Sequence, residues 1–473
     1  MRTNSNLPKA WRDPGVWIIA ATAVLLWWGG YPQPHIDDLF YTGAAVELAR
    51  SGQLTNPWIA PWMESFGTDR FYAQPPVLPY LLGGWLFVFQ VSAKSLTAFH
   101  LLAQAFVECS LYRFARRAGV AWFIALAPAV LAAFFLLSLG LRPEALGLSL
   151  VAASQLAFDY RSRQRLILSG TLAAAAVLTH PLLMSLVIPL YVWRGWEAVR
   201  GQAGRLFCLA TATGILISSA AFALALRGEV SEFVRVMRAF SHQLTPSWHA
   251  APAHFWGELT LGKQRYLLGA SWCLIALGAI RTLFAAESAP HRSTLRDLWI
   301  VWVAATLFGL LLYPTRMVHY ATAFGLALAM VSWGRVRLGG AFTLASLSLV
   351  ALQSAALLLV PVFGSLKPPD AASLRAEIER HPDRKLCLDD VAARYLYDFK
   401  LPPGAVDWTQ RQSATQGSRG TLVGKPAGEL WIAAEWKLEH NIPDSGIRAE
   451  RLRIGSKTVN SLAARPHRLA LIE

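Results

Sequence analysis

Between residue 15 and about residue 363 the chain alternates long apolar runs with short polar joints. Apolar runs approaching about 17–25 residues are what a helix needs to cross a bilayer. They fall at 15–31, 95–113, 121–141, 145–160, 166–179, 181–193, 206–226, 265–283, 297–313, 319–334 and 340–363. The runs 166–179 and 181–193 are short, and His180-Pro181 between them fits either a tight turn or a helix break. One further apolar stretch, reaching Val91, opens on Pro75, Pro76 and Pro79, which remove backbone donors at a helix start. Counting it as a span would invert every later joint. It is therefore read as a helix lying at the membrane interface, inside one long first loop over 31–94. Past residue 365 the pattern changes: Arg384–Asp389 and Glu429–Ala434 read as strands, Ala371–His381 and Val391–Phe399 as helices. The expected fold class is an all-α polytopic membrane protein of about eleven transmembrane helices over residues 1–365. A small soluble α/β domain over 366–473 follows.

Composition supports the membrane reading: 54% of residues are hydrophobic and 15% charged, against about 25% charged in a soluble domain. The net charge of +15 would suggest nucleic acid in a soluble protein, but the basic residues form no extended face. They sit instead in short clusters at alternate joints: Arg2/Lys9/Arg12, Arg113/Arg116/Arg117, Arg161/Arg163/Arg165, Arg194/Arg200/Arg205, Arg281/Arg292/Arg296 and Arg335/Arg337. Positively charged short loops stay cytoplasmic, so the N-terminus is expected inside and the C-terminal domain outside. The first apolar run ends in Trp-Trp-Gly-Gly-Tyr and not at a small-residue cleavage site, which predicts an uncleaved anchor. Cys109, Cys208 and Cys273 lie in or beside spans and Cys387 stands alone in the tail, which leaves no disulfide framework there.

With this topology the polar residues that are hardest to explain share the outer side. Asp37 and Asp38 open the first loop, Arg142-Pro143-Glu144 follows the third span, and His180 sits at the next outer turn. A loop from Ser241 through His242 and His249 to His254 follows the seventh span, and Tyr313 to Tyr320, with Arg316, joins the ninth to the tenth. Ionisable groups beside hydrocarbon are costly, and their clustering on one face points to a cavity that does chemistry. Plainer readings stand beside this one. Asp38 fits a helix N-cap, Arg142 and Glu144 fit a local ion pair, and Tyr313 and Tyr320 fit an interfacial aromatic belt. The histidines of the 241–254 loop lack metal-ligand spacing. Glu108 is expected to pair with the neighbouring inside arginines.

Asp37-Asp38-Leu39-Phe40-Tyr41, followed by Ala45, Leu48, Ser51-Gly52 and Pro57, resembles the first outer loop of the GT-C glycosyltransferases. The similar branch holds the protein O-mannosyltransferases, the lipid A aminoarabinose transferase and the rhizobial core galacturonosyltransferases. Pro75-Pro76 matches that branch's Pro-Pro before an interfacial helix, Glu144 its second outer acidic site, and Arg316 with Tyr320 its Arg-x-x-x-Tyr. The resemblance covers roughly residues 15–335. It implies a multi-pass enzyme of the bacterial inner membrane that transfers a sugar from a polyprenyl-phosphate donor to a lipid, glycan or protein acceptor on the periplasmic face. The implied general base is Asp37, with Asp38 and Glu144 as further catalytic acids. Arg142, Arg316, Tyr320, Tyr41, Gln74, His180 and His242 are the implied substrate and phosphate contacts. Asp37 and Glu144 offer the oxygen ligands a Mg²⁺ or Mn²⁺ would take, and metal dependence varies within the superfamily. One departure is plain: relatives carry Glu-Lys before the Pro-Pro, and this chain carries Ala73-Gln74. The rival class is a transporter or flippase of lipid-linked saccharide, which would show internal repeats and polar residues at the bilayer midplane. The sequence shows neither.

Overall fold

The computed structural model describes residues 13–29, 32, 38–57, 63–64, 66–117, 119–244, 265–284, 292–312 and 314–334. It also describes 376, 378–388, 405–407, 429–434, 452–453 and 469–472. The helices are α1 (Pro14–Trp28), α2 (Asp38–Ser51), α3 (Val77–Phe89), α4 (Ala93–Arg117), α5 (Trp122–Ser138), α6 (Glu144–Ala157) and α7 (Arg163–Val177). There follow α8 (Met184–Arg200), α9 (Gly204–Ala225), α10 (Val230–Leu244), α11 (Arg265–Phe284), α12 (Arg292–Leu312) and α13 (Pro314–Gly334). The expected run at 340–363 and the helix at 391–399 lie outside the described residues.

The chain divides into two compact units. The first comprises the described residues within Met1–Leu26, Leu101–Leu136 and Glu144–Leu359. In it α7 packs between α6 and α9, α8 packs on α9 and α12, and α13 packs on both α11 and α12. The tightest approach is α7 on α9. A Cβ added at Gly214 would lie 2.2 Å from the Ile167 carbonyl oxygen, and one at Gly170 would lie 2.7 Å from that of Thr211. Small residues let two helix backbones meet this closely, as helices do where burial of apolar surface cannot drive them together. Thr171 Oγ1, 3.2 Å from the Gly214 carbonyl, adds a polar tie. Gly214→Ala is therefore expected to cost about 1–3 kcal/mol, read as a lowered melting temperature of the purified chain. Gly84→Ala on α3, where nothing lies within 4 Å, should leave it unchanged.

At the start of the first unit Asp13 caps α1: its Oδ1 accepts from Gly15 N at 3.1 Å and from the Tyr112 hydroxyl. Arg116 Nε lies 3.9 Å from Asp13 Oδ2, and Arg116 Nη1 donates to the Val120 carbonyl. Glu108 departs from expectation. Its described bond is to Gln104 Nε2 at 2.8 Å, one turn back on α4, and not to an arginine.

Three boundaries also differ. The run ending at 193 continues to Arg200, because Arg194 and Glu197 pair at 2.9 Å along one helix face. The stretch read as a loop from Ser241 is in its first part the end of α10. That helix is set by Phe233 and Val236, buried at helical spacing. From 314 to 320 the expected joint is in fact the first turns of α13, which opens on Pro314, a residue well suited to a first helical position.

The second unit comprises the described residues within Trp27–His100, Leu137–Pro143 and Val360–Glu473. Helices α2 and α3 pack together, with Gly83 against Leu48. The segment after α2 folds back so that Asn56 Nδ2 donates to the Phe40 carbonyl at 3.2 Å, and Phe71 N to the Leu54 carbonyl at 2.9 Å. The C-terminal residues supply a five-stranded sheet of order β2-β1-β3-β5-β4. Its strands are β1 (Lys385–Leu388), β2 (Val406–Asp407), β3 (Glu429–Ala434), β4 (Leu452–Arg453) and β5 (Leu469–Ile472). β1 runs parallel to β2 and β3, β5 antiparallel to β3 and β4.

Among the described residues two helical segments are long and apolar enough to cross a membrane, Pro181–Arg200 and Gly204–Ala225. Shorter apolar helices include Pro14–Trp28, Glu144–Ala157 and Tyr320–Ser332. Large apolar side chains face outward on several of them, with Leu25 71%, Trp28 84%, Leu216 68% and Leu224 78% exposed.

Candidate functional site

Glu144 opens α6, where the helix N-terminus favours a carboxylate. It is 1% exposed, and its Oε1 accepts the Tyr320 hydroxyl at 2.5 Å across 176 residues of chain. Tyr320 lies near the start of α13, buried, with its ring edge-on to Phe135 at 5.2 Å. His180 is buried too: its Nδ1 accepts from Leu182 N at 3.2 Å and so caps the 3₁₀ turn Pro181–Leu183 that separates α7 from α8. This turn, not a simple break, is what His180-Pro181 builds. Gly147, one turn along α6, allows that turn to approach, since a Cβ there would meet Leu183 Cδ1 at 2.2 Å.

Glu144, His180 and Tyr320 all line one cavity of about 400 Å³ in the first unit, otherwise walled by apolar side chains such as Leu148, Val151 and Phe324. A charged hydrogen bond in such surroundings is strong, because little water competes for it. The arrangement presents a buried carboxylate, oriented by a phenol, to a space large enough for part of a ligand. Arg316 sits on α13 one turn before Tyr320, so the two positions share a helix face. His242 belongs to α10.

In the second unit Asp38 is the first residue of α2 and is 1% exposed. Its Oδ1 accepts from Leu141 N at 2.7 Å, tying the 137–143 segment to the start of α2. The Arg142 guanidinium, buried, stands 5.1 Å from the Tyr41 ring centroid, a cation–π geometry. Tyr41 in turn meets Phe40 edge-on at 4.9 Å. Gln74 is buried, and its Oε1 has no hydrogen-bond partner among the described residues. Of the residues singled out in the sequence, Asp38, Tyr41, Gln74 and Arg142 thus fall in this unit, and Glu144, His180 and Tyr320 in the other. Asp37 lies outside the described residues.

Sequence reading missed the partners. The Leu141 N–H is a backbone group with no residue signature, and Gln155 and Arg194, which also line the cavity, carry no motif. Among the described residues no group of three or more His, Cys, Asp or Glu is placed to hold a metal, and Glu144 commits one oxygen to Tyr320.

No protein-family model and no curated protein matches the chain. Among solved structures it is similar to the cryo-EM structure of arabinofuranosyltransferase AftD from Mycobacteria, with a TM-score of 0.50 at 13% sequence identity. The match covers 97% of this chain and 39% of that one, so the chain spans about two-fifths of the neighbour's length. At this identity the likeness is one of fold alone. Within this fold Glu144 opens α6 and Tyr320 lies in the second turn of α13, both in stretches that the sequence itself marked as outer joints.

Proposed function

We propose that the chain is an integral-membrane glycosyltransferase that moves a sugar from a polyprenyl-phosphate donor to an acceptor hydroxyl at the periplasmic face of a bacterial inner membrane. The GT-C fold, matched over nearly the whole chain, carries this reading. The outward-facing apolar side chains and the spacing of the arginine clusters support a multi-pass arrangement of about eleven spans with the N-terminus inside.

The acceptor oxygen attacks the anomeric carbon and its proton passes to a carboxylate, for which Asp37 is our choice. The bond from the anomeric carbon to the phosphate oxygen breaks, and the lipid phosphate leaves with the electron pair, inverting the configuration. Arg142 and Arg316 are the cations proposed to meet that phosphate, since a guanidinium fork matches it. Tyr41 orients Arg142. Gln74, whose buried Oε1 has no donor among the described residues, is suited to a sugar hydroxyl, because buried polar atoms are nearly always satisfied. His242 is assigned to the acceptor side. Glu144 completes the acidic set, Asp38 being engaged by the Leu141 N–H, and Glu144 with Asp37 would supply the carboxylates for a divalent cation.

The test is transfer of radiolabelled sugar from native polyprenyl-phosphate donors in membranes containing or lacking the chain. Label appearing on an acceptor only when the chain is present is the expected result. Movement of lipid-linked saccharide across the bilayer with no transfer would replace this reading with a flippase.

A further inference from the structure

The cavity that Glu144, His180 and Tyr320 line has a second end. Gln155 lies eleven residues along α6 from Glu144, about 17 Å at the α-helical rise. A volume of about 400 Å³ spread over that length is an elongated slot, and its walls are almost wholly hydrocarbon. Gln155 and Arg194, 3.4 Å apart, mark the far end, and the end of α4 that carries Arg113 and Arg117 packs beside Val331, eleven residues along α13 from Tyr320.

These cations differ in what already holds them. Arg194 is paired with Glu197 at 2.9 Å and stacks over Phe158 at 4.7 Å. Arg116 turns away to Asp13 and the Val120 carbonyl. Arg113 and Arg117, four positions apart and so on one face of α4, are exposed and have no ion-pair partner among the described residues. Among the described residues the slot therefore ends in two positive charges with no ion-pair partner.

We propose that this slot holds one acyl chain of a resident anionic glycerophospholipid whose phosphate is clamped by Arg113 and Arg117. The charge argument selects the occupant: apolar walls suit a hydrocarbon chain, and paired guanidinium groups suit a phosphodiester at headgroup level. A polyprenyl-phosphate donor does not fit the same end. Its phosphate would then sit about 17 Å of helix away from Glu144, the buried acid at the cavity's other end. The bound lipid instead fills the space between α4, α6, α8, α12 and α13 and props the acidic end from below. The inference needs a membrane setting but not the transfer reaction, so it stands or falls apart from the glycosyltransferase reading.

The experiment is lipid extraction and mass spectrometry on the purified full chain, comparing wild type with R113Q/R117Q, R113K/R117K and Ala152→Phe, each checked for a monodisperse gel-filtration peak. Ala152 is part of the slot wall. Wild type and the lysine variant are expected to retain phosphatidylglycerol. The glutamine variant should bind it about 30-fold more weakly, which is about 1 kcal/mol for each arginine removed at about 1.4 kcal/mol per tenfold. Ala152→Phe should lose the lipid with both arginines in place. Phosphatidylglycerol vesicles should raise the melting temperature of wild type, and phosphatidylcholine vesicles should not. Equal retention by the glutamine variant, equal retention by Ala152→Phe, or recovery of polyprenyl phosphate as the arginine-dependent lipid would each overturn the proposal.

Discussion

Asp37→Asn is expected to lower sugar transfer by about 10²–10⁴-fold, the range a positioned general base supplies, without changing the melting temperature. Its neighbour should behave in the opposite way. Asp38 is 1% exposed and its Oδ1 is taken by the Leu141 N–H at 2.7 Å, so that oxygen holds the chain in place and is not open to a substrate hydroxyl. Asparagine keeps a carbonyl oxygen at the same position, so Asp38→Asn should retain the tie and most of the transfer. Asp38→Ala strands the buried Leu141 N–H, at a cost of about 1–3 kcal/mol, and should lower both melting temperature and yield. Transfer at matched membrane expression, set beside thermal unfolding of the purified chains, separates the two residues. If Asp38→Asn abolished transfer while Asp37→Asn spared it, the roles of the two carboxylates would be exchanged.

This division between neighbouring acids shows where sequence reading stops. A pair of carboxylates after an apolar run is visible, but which of them a backbone N–H some hundred residues away has claimed is not. The helical framework is legible because most apolar runs are long and their ends carry arginine, proline or glycine. The starts of α6, α9 and α11 fall within two residues of the expected positions. It fails where a helix is amphipathic and lies between apolar runs, as α10 does, since its two buried positions Phe233 and Val236 are diluted by Glu232, Arg235 and Arg238.

Pro314 misled in another way. Proline both ends one helix and begins the next, and here it begins α13 immediately, which draws Arg316 and Tyr320 into a rigid element. In the C-terminal sheet, β1 and β3 announce themselves by composition. β2 and β4 are two-residue strands held in register by their neighbours, and so short a run has no pattern of its own.

The pairing of Glu144 with Tyr320 supplies the second large effect. Removing the phenol hydroxyl in Tyr320→Phe takes one donor from a buried carboxylate, and Glu144→Gln removes the charge while leaving the shape. Hydrogen bonds to charged groups are worth about 1.5–3 kcal/mol, so each change is expected to reduce transfer by roughly 10–100-fold. The more telling quantity is the double variant. If Tyr320 acts only by orienting Glu144, then Glu144→Gln/Tyr320→Phe should be no slower than the worse single variant, because groups that act as one unit are not additive. The Phe135 ring, edge-on to Tyr320, keeps its packing partner when tyrosine becomes phenylalanine, so the fold should survive and the loss should appear in turnover and not in yield. Effects that multiply in the double variant would mean that Tyr320 meets the substrate on its own account. The short bond to Glu144 would then be a feature of the resting site, exchanged for a substrate contact when the cavity fills.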